Sequence, residues 1–149
     1  SLEVLKAYGT VNKYISNGVI QKGTAVRFVV KNNSELCVET YNTVESEGST
    51  GASFLGVALN QTTNSGETVY VCTNGITTIK LGGDSNIDIK CGSYGVLAFS
   101  SSNGEIISLG DSIDISNNIA VAGYFLENKD NASLGSNILF NVQSNYEFN

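Results

Sequence analysis

Short runs of apolar, β-branched and aromatic residues recur along this chain, and Gly, Asn and Ser fill the gaps between the runs. Residues 25–30 read Ala-Val-Arg-Phe-Val-Val, rich in β-branched and aromatic types. The runs 36–41, 54–59, 68–73, 76–81, 94–99, 105–109, 119–126 and 138–142 have the same character. Such runs, about 4–8 residues long, fit strands with one buried face. Turn signals separate them: Asn17-Gly18, Asn32-Asn33, Ser65-Gly66, Asn74-Gly75, Gly82-Gly83, Asn103-Gly104, Asn117-Asn118 and Gly135. Asn-Gly between strand runs is a strong hairpin cue. Hairpins are therefore expected at Asn74-Gly75 and at Asn103-Gly104. No stretch has the periodicity of an amphipathic helix. The pattern predicts an all-β fold, a compact sandwich or barrel.

The pattern also occurs twice. Ile-Gln-Lys-Gly-Thr-Ala-Val around Gly23 matches Ile-Lys-Cys-Gly-Ser-Tyr-Gly-Val around Gly92. Phe54–Leu59 matches Val121–Leu126, and the loop glycine Gly66 matches Gly135. The offsets are 69 (Gly23 to Gly92), 67 (Gly56 to Gly123) and 69 (Gly66 to Gly135). Near-constant offsets at three landmarks predict a fold built from two related β halves. The expected division is an N-terminal arm, 1–17, and a β domain, 18–149, with pseudo-repeats at about 18–81 and 86–145. The arm carries Leu2, Val4, Leu5, Tyr8, Val11, Tyr14 and Ile15. A short apolar segment needs a surface to pack on, whether its own core or a neighbouring subunit. Residues 39–53 are polar, acidic and rich in Gly, Ser and Thr, and read as a mobile loop.

Composition narrows the function. Of the 149 residues only 15% are charged, against about 25% in an average globular protein, so Asn, Ser, Thr and Gly must cover the surface. The net charge is −6, and Arg27 and the seven lysines are scattered along the chain. No basic footprint is present for a phosphate backbone, so no nucleic-acid partner is expected. Attachment to anionic lipid is not expected for the same reason. The longest apolar runs are about six residues, far below the ~20 of a membrane helix. The complete absence of Pro removes one means of blunting sheet edges, which favours edges covered by a partner.

Reactive chemistry is sparse. The chain has no His, so neither a Ser-His-Asp nor a Cys-His machine can be built. Cys37, Cys72 and Cys91 have no metal-binding spacing and read as buried, reduced thiols, consistent with folding in a cytoplasm. Paired carboxylates remain at Asp84/Asp88 and Asp111/Asp114. Neither pair matches a calcium ligand ladder, and Asp after Gly more often caps a turn. No Trp is available to floor a sugar cleft between two carboxylates. The seven tyrosines, Tyr8, Tyr14, Tyr41, Tyr70, Tyr94, Tyr124 and Tyr146, read either as ordinary strand residues or as an exposed set able to bind sugar or protein.

The motifs Ile-Gln-Lys-Gly-Thr-Ala-Val, Phe-Leu-Gly-Val-Ala-Leu and Ser-Gly-Glu-Thr-Val-Tyr-Val-Cys-Thr-Asn-Gly, with Asn-Gly-Glu-Ile and an Ala-Gly-aromatic strand later, resemble the small capsid decoration (cement) proteins of tailed bacteriophages. The resemblance covers roughly residues 18–142 and rests on a hydrophobic and glycine rhythm. It implies a compact β domain, a homotrimer, that binds the major capsid protein on the outer capsid surface and stabilises it. It implies no catalytic, cofactor or metal residues. The protein would be made in the host cytoplasm and end up on the virion. The expected contacts to capsid or neighbouring subunit are Leu2, Val4, Leu5, Tyr8 and Tyr14. The alternative is a carbohydrate- or receptor-binding module of a fibre or appendage, using exposed Tyr and Asn.

Overall fold

The runs form strands because β-branched and aromatic side chains suit a pleated, half-buried surface. A computed structural model describes residues 4–41, 54–97, 103–110 and 120–144. Among these residues there are eleven strands and no helix: β1 Tyr8–Ile15, β2 Ala25–Lys31, β3 Glu35–Thr40, β4 Phe54–Ala58, β5 Thr68–Lys80, β6 Ile87–Ile89, β7 Tyr94–Leu97, β8 Ile106–Ser108, β9 Val121–Phe125, β10 Lys129–Ala132 and β11 Asn137–Gln143. The fold is all-β and sandwich-like. Nine strands form one sheet in the order β3-β2-β4-β5-β11-β9-β7-β8, with β1 against β5; β6 and β10 form a separate pair.

That order is a palindrome of related strands, and the registers match residue by residue. In the first half Val26 faces Gly56 and Arg27 faces Phe54 across a bulge. In the second half Gly95 faces Gly123 and Val96 faces Val121 across a bulge at the same place. Val57 faces Cys72 as Tyr124 faces Asn141. Gly23 donates to the Ala58 carbonyl at 2.7 Å, and Gly92 to the Phe125 carbonyl at 2.8 Å. Even a side-chain clasp recurs. The Tyr70 N–H donates to Asn60 Oδ1 at 2.8 Å, and the Leu139 N–H to Glu127 Oε1 at 2.7 Å.

Residues 8–15, read from sequence as part of an arm outside the repeat, are a strand of the sheet. β1 pairs with the first part of β5, with Tyr14 opposite Val69. The last part of β5 pairs with β11 in the same manner, with Ile79 opposite Ile138. Ser16 then bridges Val38 just as Leu81 bridges Ile106, both in parallel. The two structural units therefore meet inside β5, and this one strand serves both.

This explains why the hairpin expected at Asn74-Gly75 is not there. β5 runs straight through both residues. Gly75 lies opposite Gly9, with φ values of 117° and 155°. The two backbones approach so closely that a Cβ on Gly75 would overlap the Tyr8 carbonyl oxygen. The glycine allows a close crossing, not a reversal. At Asn103-Gly104 the flanking strands β7 and β8 do pair antiparallel, but Leu97 faces Ile106, so the connection is longer than a two-residue turn. A short turn does form at Asn32-Asn33, where φ is 52° and 61°, the left-handed values that a primed hairpin turn requires.

Two more expectations need correction. The loop read as 39–53 begins later, because Glu39 and Thr40 belong to β3. Glu39 is held opposite Arg27, whose Nε and guanidinium nitrogen both donate to Oε2, at 3.1 and 2.8 Å. Residues 42–53 of that loop lie outside the described residues. Of the three free cysteines, Cys37 and Cys72 are buried, but Cys91 is exposed because it sits in the turn before β7 instead of in a strand.

Each half has its own core. The first contains Ile20, Val26, Val38, Ala58, Val69 and Val71, with Tyr14 and Leu55 packed on it. The second includes Ile89, Ile106, Ala122, Phe125, Ile138 and Phe140 and continues into residues of the first half such as Ala25, Val57 and Cys72. Side-chain volumes are exchanged between equivalent sites. Val26 and Val71 of the first core become Gly95 and Phe140 in the second, and a Cβ on Gly95 would overlap the Phe140 ring.

Candidate docking surface

Among the described residues no group of three or more His, Cys, Asp or Glu side chains could hold a metal ion. Of the carboxylates read as pairs, Asp84 and Asp88 lie among the described residues. Asp88 Oδ1 accepts the N–H of Asn131 at 2.7 Å, which steadies that residue at a φ of 49°. Asp84 is exposed in a bend, and Asp111 and Asp114 lie outside the described residues. A shallow cleft of about 240 Å³ opens at the seam between the halves, lined by Gln21, Thr24, Lys80, Leu81, Gly82, Asn103 and Glu105. Lys80 Nζ is engaged there by Gln21 Oε1 at 2.8 Å.

Of the five residues expected to make contacts, the four that are described sit in different surroundings. Leu2 lies outside the described residues. Leu5 donates its N–H to the Leu59 carbonyl at 2.7 Å and packs on the main core. Tyr14 packs on the first core, its ring edge-to-face with Phe28 at a centroid distance of 5.4 Å. Of these four described residues, Val4 and Tyr8 are exposed to solvent, at 41% and 73%.

Strand registers assemble a different feature. Tyr94 lies opposite Tyr124, Tyr124 opposite Asn141, Asn141 opposite Ile76, and Ile76 opposite Tyr8. Directly opposed residues project from the same face of a sheet. The result is one uncharged row, Tyr94-Tyr124-Asn141-Ile76-Tyr8, crossing five strands over about 19 Å. Along β11 the outward Leu139 and Asn141 alternate with the buried Ile138, Phe140 and Val142. The row is exposed at both ends and half-buried between.

The equivalent row of the first half is Ala25-Val57-Cys72-Val11. Its first three members are fully buried. The second half covers it: the Ala25 N–H donates to the Gly104 carbonyl at 2.8 Å, and the Lys80 N–H to the Gly23 carbonyl at 3.0 Å. Burial also pushes the Cys72 thiol above its ordinary pKa, partly opposed by a hydrogen bond with the Asn74 backbone. Sequence reasoning named Tyr94 and Tyr124 only within a set of seven. The usable signal was the repeat itself, which aligns them with Ala25 and Val57, so small apolar residues in one half become tyrosines in the other.

Fold and surface together define a duplicated, sandwich-like β domain with an outward tyrosine row and no metal-binding cluster among the described residues. No protein-family model and no curated protein matches the chain. Among solved structures, the fold is similar to the N base of head fiber gp8.5 of bacteriophage phi29, with a TM-score of 0.55 and 13% identity. The match covers 91% of this chain and 96% of that one, so the two share a fold across almost their whole length.

Proposed function

We propose that this chain is a structural protein of a bacteriophage virion, mounted on the outer surface of the head as a capsid decoration protein. The observation that carries this reading is the near-complete correspondence of fold with a phage head fiber base, covering 96% of that chain. The decoration-type glycine and strand rhythm of residues 18–142 supports it independently. The role is mechanical and needs no catalysis. Each copy would dock on the major capsid protein, so that detaching a capsid subunit also requires breaking the decorating contacts. Modest contacts suffice if copies are linked, because later binding events become intramolecular and avidity rises by about 10²–10⁴-fold.

Co-sedimentation with purified capsids tests this. The wild-type chain should pellet with capsids in a saturable manner. Val4→Asp combined with Tyr8→Ser should weaken binding at least tenfold, since these two are the exposed side chains among the described candidate contacts. Point changes are preferable to deleting the segment, because Leu5 and the Lys6 carbonyl are tied to Leu59 and Thr77. Absence of saturable capsid binding by the wild type would refute the reading.

A second reading, a carbohydrate-binding module, is favoured by the row of tyrosines with Asn141 among them. Selective retention of a glycan on an array, abolished by Tyr124→Ala, would support it over the first.

A further inference from the structure

The segment 4–15 is tied down at its two ends and lightly held between them. At the first end the Leu5 N–H donates to the Leu59 carbonyl at 2.7 Å, and the hydroxyl of the buried Thr77 donates to the Lys6 carbonyl at 2.8 Å. Leu5 and Ala7 rest there on the main core. At the other end Ser16 is buried and bound three times. Its N–H donates to the Glu67 carbonyl at 2.9 Å, its carbonyl accepts the Gly66 N–H at 2.9 Å, and its hydroxyl donates to the Asn64 carbonyl at 3.0 Å. Gly18 follows with a φ of 99°, and a Cβ there would meet nothing within 4 Å.

Between these ends β1 gives the interior one large side chain. Tyr14, opposite Val69, packs on the first core, while residues 8–13 and Ile15 are exposed. The repeat shows what is missing. Asn12, Tyr14 and Ser16 correspond to Thr77, Ile79 and Leu81 of the second half, all buried. Asn12 is exposed where Thr77 is enclosed. The register of β1 also shifts between Thr10 and Val11. β5 meanwhile has partners on its opposite edge, β4 at residues 71–72 and β11 at residues 74–80. Local stability follows buried apolar contact and an unbroken ladder, so β1 can leave while the rest of the sheet stays. A strand rises about 3.3 Å per residue, close to the full reach of the chain, so a strand fixed at both ends cannot lift. One end must let go, and the Leu5–Lys6 end has the fewer bonds.

We propose that residues 4–15 form a releasable strap, latched at Leu59 and Thr77 and pivoting at Ser16, that opens from β5 while the rest of the fold stays intact. Closed, it covers the outer edge of β5. Open, it bares the N–H and C=O groups of that edge, a template for strand pairing. The inference does not depend on the virion reading.

Hydrogen exchange of the full chain, followed residue by residue by NMR under reducing conditions, tests it. The protected amides of residues 10–15 should exchange roughly a hundredfold faster than those of residues 77–80, and should respond little to urea below the unfolding range. Thr77→Val removes the latch hydroxyl at nearly constant volume. It should speed exchange in β1 about tenfold relative to residues 77–80, the effect of one lost hydrogen bond. Val11 lies directly opposite Cys72, a spacing a disulfide can span. In a Val11→Cys, Cys91→Ser chain, oxidation should therefore abolish the difference between the two sets of amides, and reductant should restore it. Equal exchange and equal urea response of the two sets in the wild type would overturn the proposal. So would a Thr77→Val chain in which both sets speed up alike, or a formed disulfide that leaves the difference unchanged.

Discussion

At single residues, the two halves solve the same packing problem with different volumes. The first core uses Val26 and Val71; the second uses Gly95 and Phe140, whose ring stacks edge-to-face with Phe125 at 5.1 Å. Gly95→Val should therefore destabilise the fold by about 1–3 kcal/mol through overpacking. Adding Phe140→Val, which copies the first core, should recover part of that loss; denaturant midpoints of the single and double variants check it. A second residue-scale effect lies in the 63–67 turn. Glu67 Oε2 accepts the N–H groups of Asn64 and Thr63, both at 2.6 Å, which holds its carboxyl below the ordinary glutamate range. A carboxyl lowered on folding stabilises at pH above its unfolded value, and the benefit is lost as pH falls through the folded one. Glu67→Gln should accordingly flatten the acid side of the stability profile and leave its slope near neutrality unchanged, as read from melting temperature against pH.

Among the elements, β5 decides the architecture. Its thirteen residues pair with β1 on one edge and with β4 and then β11 on the other. The strand can pass between the halves because Gly75 and Gly9 let two backbones meet at close range. Gly75→Val would introduce both an unfavourable positive φ and an overlap with the Tyr8 carbonyl. It should cost about 1–3 kcal/mol, measured as a lowered denaturant midpoint. Local chemistry alone could not reveal this. Asn74-Gly75 carries the best hairpin signal in the chain, and long-range pairing on both edges of β5 overrides it. By contrast Asn32-Asn33, where no third strand intervenes, behaves as its local preference dictates. β1 escapes the visible repeat for a related reason. Its offset from its counterpart in β5 is 65 (Tyr14 to Ile79), not 67 or 69, and its residues share little type with that counterpart.

For the whole molecule, one strand belonging to both halves makes separate unfolding unfavourable, since neither half keeps a complete sheet without β5. Calorimetry should give one transition with equal calorimetric and van't Hoff enthalpies; two resolved transitions would contradict the shared strand. The candidate surface also belongs to this scale. Its members are far apart in sequence and become neighbours only through four strand registers. The all-β class and the duplication could be read from the chain, because strand-type runs, turn residues and glycine spacing are local or strictly periodic signals. Where the halves divide, which Asn-Gly turns and which does not, and which tyrosines face outward were settled only by the fold. Each of these depends on which strand pairs with which, and backbone hydrogen bonds between distant strands leave almost no mark on the side chains that sequence displays.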